Sequence, residues 1–352
     1  MKVREHQREP LRRDLLLGLI LLSLLMAVIS FRLIKLPLSV PMAALGFVGV
    51  LAFTIPYVLS INPTLIKVVR GSMEEKSRPL WPLPVGLFLL SQLYLAAAGL
   101  FTLKLFITAA VYCLLPVLLI AAAKRKSPSF NFYDMLTVFC LWLPIEFGCL
   151  SAASLPPQHG LIGLYQLAGL VLLIYFYFIV RELPPAGLTY RLKSKEIQLS
   201  IQSCLVFFIA ALILGLPTGF ISLSHALPGL GVVVGTLLTI AFFIALPEEI
   251  LFRGVIQNAL EQKWAHQANG SNKALAAASL LFGLAHANNH NAPFLDWNLG
   301  SLGIWHFPWV YVILATLAGL AYGWVFQKTR KVTAAALTHL LVDGTWALFF
   351  NG

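Results

Sequence analysis

Apolar runs long enough to cross a lipid bilayer recur from one end of this chain to the other, and they restrict what it can become. A crossing helix needs about 20 mostly apolar residues at ~1.5 Å of rise each. By that ruler the sequence offers eleven candidates, at roughly 15–32, 38–60, 83–103, 105–123, 134–153, 161–180, 198–222, 231–247, 274–290, 308–326 and 332–350. The chain is 59% hydrophobic and only 11% charged, where soluble domains carry about 25% charged residues. The expectation is an all-α fold, a polytopic transmembrane helical bundle of about eleven spans.

The connections alternate in charge. Lys and Arg gather in the N-terminal tail, in KVVRGSMEEKSR, at 124–126, around YRLKSKE, between 261 and 273, and in QKTRK. The intervening SLPPQHG, SHALPGLG and NHNAPFLDWNLGSLGIWHFP carry almost none. Cytoplasmic loops hold the excess of basic residues, so the N-terminus is expected in the cytoplasm and the C-terminus on the exoplasmic side. The net charge of +11 is therefore a topology signal facing anionic lipid, and a nucleic-acid surface is not expected. The apolar run after MKVREHQREPLRRD has no small-x-small cleavage site behind it and reads as a retained signal anchor. An integral multi-pass protein of a prokaryotic plasma (inner) membrane fits this pattern.

The longest basic connection, 181–196, separates six spans with few intramembrane charges from five that hold nearly every polar oddity. Cys113, Cys140, Cys149 and Cys204 lie inside apolar runs with no CxxC, and read as small buried hydrophobes.

An ionised side chain inside a span needs a partner or a wet cavity. ALPEEILFRGVIQ, at 245–257, carries three such groups. Glu249 and Arg253 are spaced i, i+4 with the acid first, so they can neutralise one another on one face. Glu248 is rotated by about 100° from Glu249 on a helix and is left without a local partner. Pro247 fits a first helical turn or a kink. In SLLFGLAHANNH, His286 lies in the ninth span with Phe282 one turn earlier; such a histidine serves equally as a helix–helix hydrogen-bonding group. In AAALTHLLVDG, His339 and Asp343 share a face at i, i+4, either as a packing pair or as an acid that orients an imidazole.

A spare carboxylate, two histidines and a paired acid on three helices of one half suit peptide hydrolysis. The carboxylate takes a proton from water, and the imidazoles hold that water and bond the oxyanion. Two histidines and a carboxylate are also a catalytic zinc set, which remains the alternative mechanism. HExxH, GxGD and GxSG are absent.

EEILFRG, FGLAH and THLLVD resemble the EExxxR, FxxxH and HxxxN/D motifs of the CAAX protease and bacteriocin-processing (CPBP, or Abi) family, and are similar to the type II CAAX prenyl endopeptidases within it. The resemblance covers roughly residues 198–350. It implies an intramembrane endopeptidase acting on membrane-anchored or lipidated proteins near their C-terminus. By the same resemblance Glu248 activates water, His286, His339 and Asp343 complete the site, and Glu249, Arg253 and Phe282 support it. No cofactor is implied. Asp343 stands where prenyl-processing members carry asparagine. On this reading residues 191–352 form the catalytic membrane domain, of about five spans, and residues 1–190 an accessory region of about six.

Two other functions compete: a proton-coupled transporter using buried Glu and His, and a catalytically silent membrane scaffold. Glu146 is expected to be buried mid-span, and His225 in a loop. Trp297, Trp305 and Trp309 surround the last exoplasmic loop like an aromatic belt. For Glu248 to meet His286 at depth, one continuous helix from about 234 to 262 is expected.

Overall fold

A computed structural model describes residues 5–351, apart from 76–78, 128, 157–158, 160–161, 185, 224–227, 291, 299 and 301–302; His225 lies outside the described residues. Twelve helices make up most of the described chain. Those of the first part are α1 (Glu5–Ile34), α2 (Val40–Ser60), α3 (Pro63–Glu75), α4 (Pro82–Ala97), α5 (Leu103–Lys126), α6 (Phe132–Glu146) and α7 (Leu164–Val180). Those of the second are α8 (Ser194–Gly215), α9 (Leu230–Lys263), α10 (Gly270–Ala285), α11 (Trp309–Thr329) and α12 (Val332–Phe349). Seven of these, α1, α2, α5, α8, α9, α11 and α12, are long and apolar enough to cross a membrane. The other four expected spans appear as shorter helices, α4, α6, α7 and α10. Run length does not anticipate α3. It is a short amphipathic segment in a basic connection, started by Asn62, whose Oδ1 accepts from the amides of Thr64 and Leu65 at 3.0 and 2.9 Å.

Helix α6 ends earlier than its apolar run. Gly148 adopts φ +64°, and the Cys149 amide bonds back to the Pro144 carbonyl at 2.9 Å, the wrap that closes a helix through a left-handed residue. Glu146 is therefore the exposed last residue of α6, accepting from Trp142 Nε1 at 3.3 Å, and not a buried mid-span acid. Cys113 and Cys204 are buried as expected, but Cys140 is half-buried and Cys149 exposed.

The chain folds as two compact units, Met1–Tyr190 and Arg191–Gly352. In the first, α2 packs on α1 and α7, and α5 on α4 and α6. A buried ion pair in this unit is well satisfied. Asp134 caps α6 by accepting from the Asn131 amide at 2.8 Å and also holds Arg181 at 2.7 Å. Arg181 spends its remaining donors on the carbonyls of Ser127 and Ser129.

In the second unit α8, α11 and α12 pack against one another, α10 lies on α11, and α9 meets α10 and α12. Lipid offers no hydrophobic drive for such packing, so small residues and interhelical hydrogen bonds carry it. Ser200 and Ser203 of α8 donate to the carbonyls of Ala334 and Ala321 at 2.9 and 3.0 Å. The approach of α10 to α11 is closer still. A Cβ on Gly283 would stand 1.9 Å from Thr316 Oγ1, and one on Gly319 would stand 3.1 Å from Ser279 Cα. The outer face of α8, with Leu205, Val206, Ile209 and Ile213 exposed, is apolar as a lipid-facing surface must be.

Helix α9 is one continuous element of 34 residues, as the depth argument required. It is π-helical over Ala241–Ala245 and Ile250–Gln257. Pro247 sits between these wide turns. Proline cannot donate to the preceding turn and crowds its carbonyls, and a π turn beside it accommodates that defect. Between α10 and α11 the expected aromatic loop is a β-hairpin, Leu295–Asn298 with Ile304–Phe307, pairing Leu295 with Phe307 and Trp297 with Trp305.

Candidate active site

The wide turn that begins at Ile250 follows the two acids directly, and the rotation between neighbours sends them apart. Glu249 is fully buried, with Oε2 3.1 Å from Arg253 Nε. Arg253 is itself fully buried. Its Nη2 donates to the Gly319 carbonyl at 2.8 Å, and its Cζ lies 4.6 Å from the Phe282 ring centroid and 5.4 Å from that of Tyr322. The close approach of α10 and α11 at Gly319 and Ser279 is what sets that carbonyl and the Phe282 ring around the guanidinium. Glu249 also reaches α12, where its Oε1 accepts from His339 Nδ1 at 3.0 Å.

His339 is 3% exposed and is held on three sides. Its Nε2 lies 3.2 Å from Asp343 Oδ2, one turn further along α12. Its ring stacks on Tyr322 of α11, with centroids 4.4 Å apart and planes at 16°. Phe282 meets it edge-on at 5.8 Å. Phe282 is the hub of this cluster, also touching Phe252 at 5.0 Å and His286 at 4.9 Å.

His286 is the residue that caps the C-terminus of α10, not a member of its interior. Its Nδ1 is 2.8 Å from the Phe282 carbonyl. A carbonyl only accepts, so Nδ1 carries the proton and the neutral ring has Nε2 as its acceptor. The Tyr311 ring lies 5.4 Å away.

Glu248 points the other way, into a cavity of about 450 Å³. Phe282, His286, Tyr311, Tyr322, His339 and Asp343 share the polar end of that cavity with it. Its further walls are apolar, with Phe207, Phe220, Ile240, Leu314, Val342 and Trp346 among them. Glu248 Oε2 is buried and, among the described residues, has no hydrogen-bond partner. Buried polar atoms are almost always bonded, to protein or to ordered water. An unpartnered carboxylate oxygen in a residue that lines a cavity is therefore a place for a donor.

All seven residues singled out from the sequence thus meet. Glu248, Phe282, His286, His339 and Asp343 line the cavity, while Glu249 and Arg253 lie behind it, joined to it through His339 and Phe282. Sequence reasoning missed Tyr311, Tyr322 and Gly319. A signal existed for the tyrosines: eleven residues at about 100° each return to nearly the same face. Among the described residues no group of three or more His, Cys, Asp or Glu side chains is arranged to hold a metal ion, and no chemical step is routed through one.

Residues 230–345 match the family model described as type II CAAX prenyl endopeptidase, Rce1-like. The match begins at the first residue of α9 and runs to the last turns of α12, so it takes in every residue of the cluster. No curated protein and no solved structure matches the chain significantly. The motif trio, its convergence on one cavity and the matched segment agree: residues 230–345 of this integral membrane protein form a domain similar to the Rce1-like type II CAAX prenyl endopeptidases.

Proposed function

We propose that the protein is an intramembrane endopeptidase that hydrolyses a peptide bond of membrane-anchored or lipidated proteins near their C-terminus, with water activated by Glu248. The observation that carries this reading is Glu248, which has a buried Oε2 without a hydrogen-bond partner among the described residues and lines a cavity together with His286, His339 and Asp343. Glu248 removes a proton from the water as its oxygen attacks the carbonyl carbon. His286 and His339 place the water and bond the developing oxyanion. The C–N bond then breaks, the proton passes from Glu248 to the leaving amine, and a carboxylate and an amine are released.

Glu249 and Arg253 act from behind. Glu249 accepts from His339 Nδ1 and so fixes the orientation of the ring, as a carboxylate commonly does for a working imidazole. Residues 191–352 are the catalytic membrane domain on this reading. Residues 1–190 are an accessory membrane region on the same reading. The charge pattern of the loops supports a cytoplasmic N-terminus and an exoplasmic C-terminus.

The test is mass spectrometry of membrane-protein C-termini in cells carrying the native chain or Glu248→Gln. Tails that lengthen only in the variant identify substrates and support the proposal. Unchanged C-termini with lost proton-coupled flux in proteoliposomes indicate a transporter. No change in either indicates a scaffold.

A further inference from the structure

The cavity has two unlike ends, and their charges do not balance. Its apolar arm, with Phe207, Leu314, Val342 and Trp346 in its walls, suits a hydrocarbon chain or a large apolar side chain. Its polar end carries Glu248 and Asp343. Among the described lining residues there is no Lys or Arg. The nearest guanidinium, that of Arg253, is fully buried, bound to Glu249 and Gly319 and covered by the Phe282 ring. It is out of a ligand's reach.

With all three acids ionised, counting Arg253 and a protonated His339 as positive against Glu248, Glu249 and Asp343 leaves one net negative charge. A neutral His339 leaves two. His286 adds nothing as the neutral ring with its proton on Nδ1. Of the two carboxylates that line the cavity, Asp343 is the accessible one, its side chain 33% exposed, while Glu248 Oε2 is buried and without a hydrogen-bond partner among the described residues. Inside a low-dielectric wall such charges act strongly on whatever enters.

We propose that this cavity takes a segment whose apolar chain lies along the Phe207–Trp346 arm and whose adjoining group is a cation, and that Asp343 is the residue that selects it. A substrate bearing Lys or Arg beside the anchored residue supplies the missing positive charge. One bearing an acidic side chain there adds a third negative group and is refused. The inference rests on the hydrolase reading only in naming the ligand as a substrate; charge selection is a property of binding.

The experiment therefore reads binding. The full chain in phosphatidylcholine nanodiscs is irradiated with photoreactive alkylammonium or alkanoate probes of matched chain length, and labelled cavity peptides are quantified. The ammonium probe is expected to label at least roughly tenfold more than the alkanoate, given the strength of a single unscreened charge at short range. The ratio is expected to fall towards one in Asp343→Asn and to persist in Asp343→Glu. Equal labelling of the native protein overturns the proposal, as does a ratio unchanged in Asp343→Asn. If Asp343→Asn fails to insert, the native ratio alone decides. A protein that sorts the probes by charge yet cuts no substrate upholds the charge selection and removes the hydrolase reading instead.

Discussion

His339 Nδ1 lies 3.0 Å from Glu249 Oε1, joining two helices whose residues are ninety positions apart in the chain. The same carboxylate lies 3.1 Å from Arg253 through its other oxygen. One buried acid thus supports both an imidazole that faces the cavity and a guanidinium that does not.

Removing that acid is expected to be costly. Glu249→Ala leaves Arg253 charged and without its counter-ion in the interior, and breaking a buried pair from one side typically costs about 3–5 kcal/mol. Thermal unfolding in detergent should register the loss. Glu249→Gln, which keeps a hydrogen-bond acceptor for His339, should unfold at an intermediate temperature.

Glu248→Gln should behave in the opposite way. Glu248 Oε2 makes no hydrogen bond to the described residues, so little native bonding is lost and the unfolding temperature should hold. Cleavage of a membrane-anchored substrate should drop on the order of 10²–10⁴-fold, the usual worth of a positioned general base. A stable variant that retains full cleavage would remove Glu248 from its proposed role.

Tyr322 is 1% exposed and stacks on His339. Tyr322→Phe keeps the ring and should retain most activity. Tyr322→Ala opens a cavity beside the imidazole, with a stability loss of about 3–5 kcal/mol typical of truncating a buried aromatic. Turnover should fall more than substrate affinity, since the ring it orients is the one that acts. Equal turnover in both variants would show that the stacking is packing alone.

Gly283 lies three residues before His286, where a Cβ would meet Thr316 Oγ1 at 1.9 Å and the Val312 carbonyl at 2.8 Å. Gly283→Ala must push α10 from α11 and carry Phe282 and His286 with it. Cleavage should fall, and the paired Gly283→Ala/Thr316→Ala chain should recover part of it by removing one of the two obstacles. No recovery in the double variant would place the fault at the backbone contact with Val312.

Much of this molecule is readable from local periodicity. The apolar runs locate the helices because lipid demands a long unbroken stretch. The pairs Glu249–Arg253, Phe282–His286 and His339–Asp343 are readable because a helix brings i and i+4 together wherever it lies, and each is found at contact distance. Run length is a weaker guide to helix ends. The apolar stretch around Glu146 continues past a glycine at φ +64° that stops the helix, so run length alone places an exposed acid in the interior.

Which helices touch is another matter. That Glu249 would bond His339 rather than Arg253 alone, that Gly319 would offer its carbonyl to Arg253, and that Tyr322 would stack on the imidazole all depend on how α9, α10, α11 and α12 settle against each other. The division of the two adjacent acids, one sealed behind the cavity and one left open to it, arises in the same way. Periodicity assigns each side chain to a face of its own helix, but a face has no partner until packing supplies one. Here small residues on α10 and α11 let backbones approach closely enough to choose it.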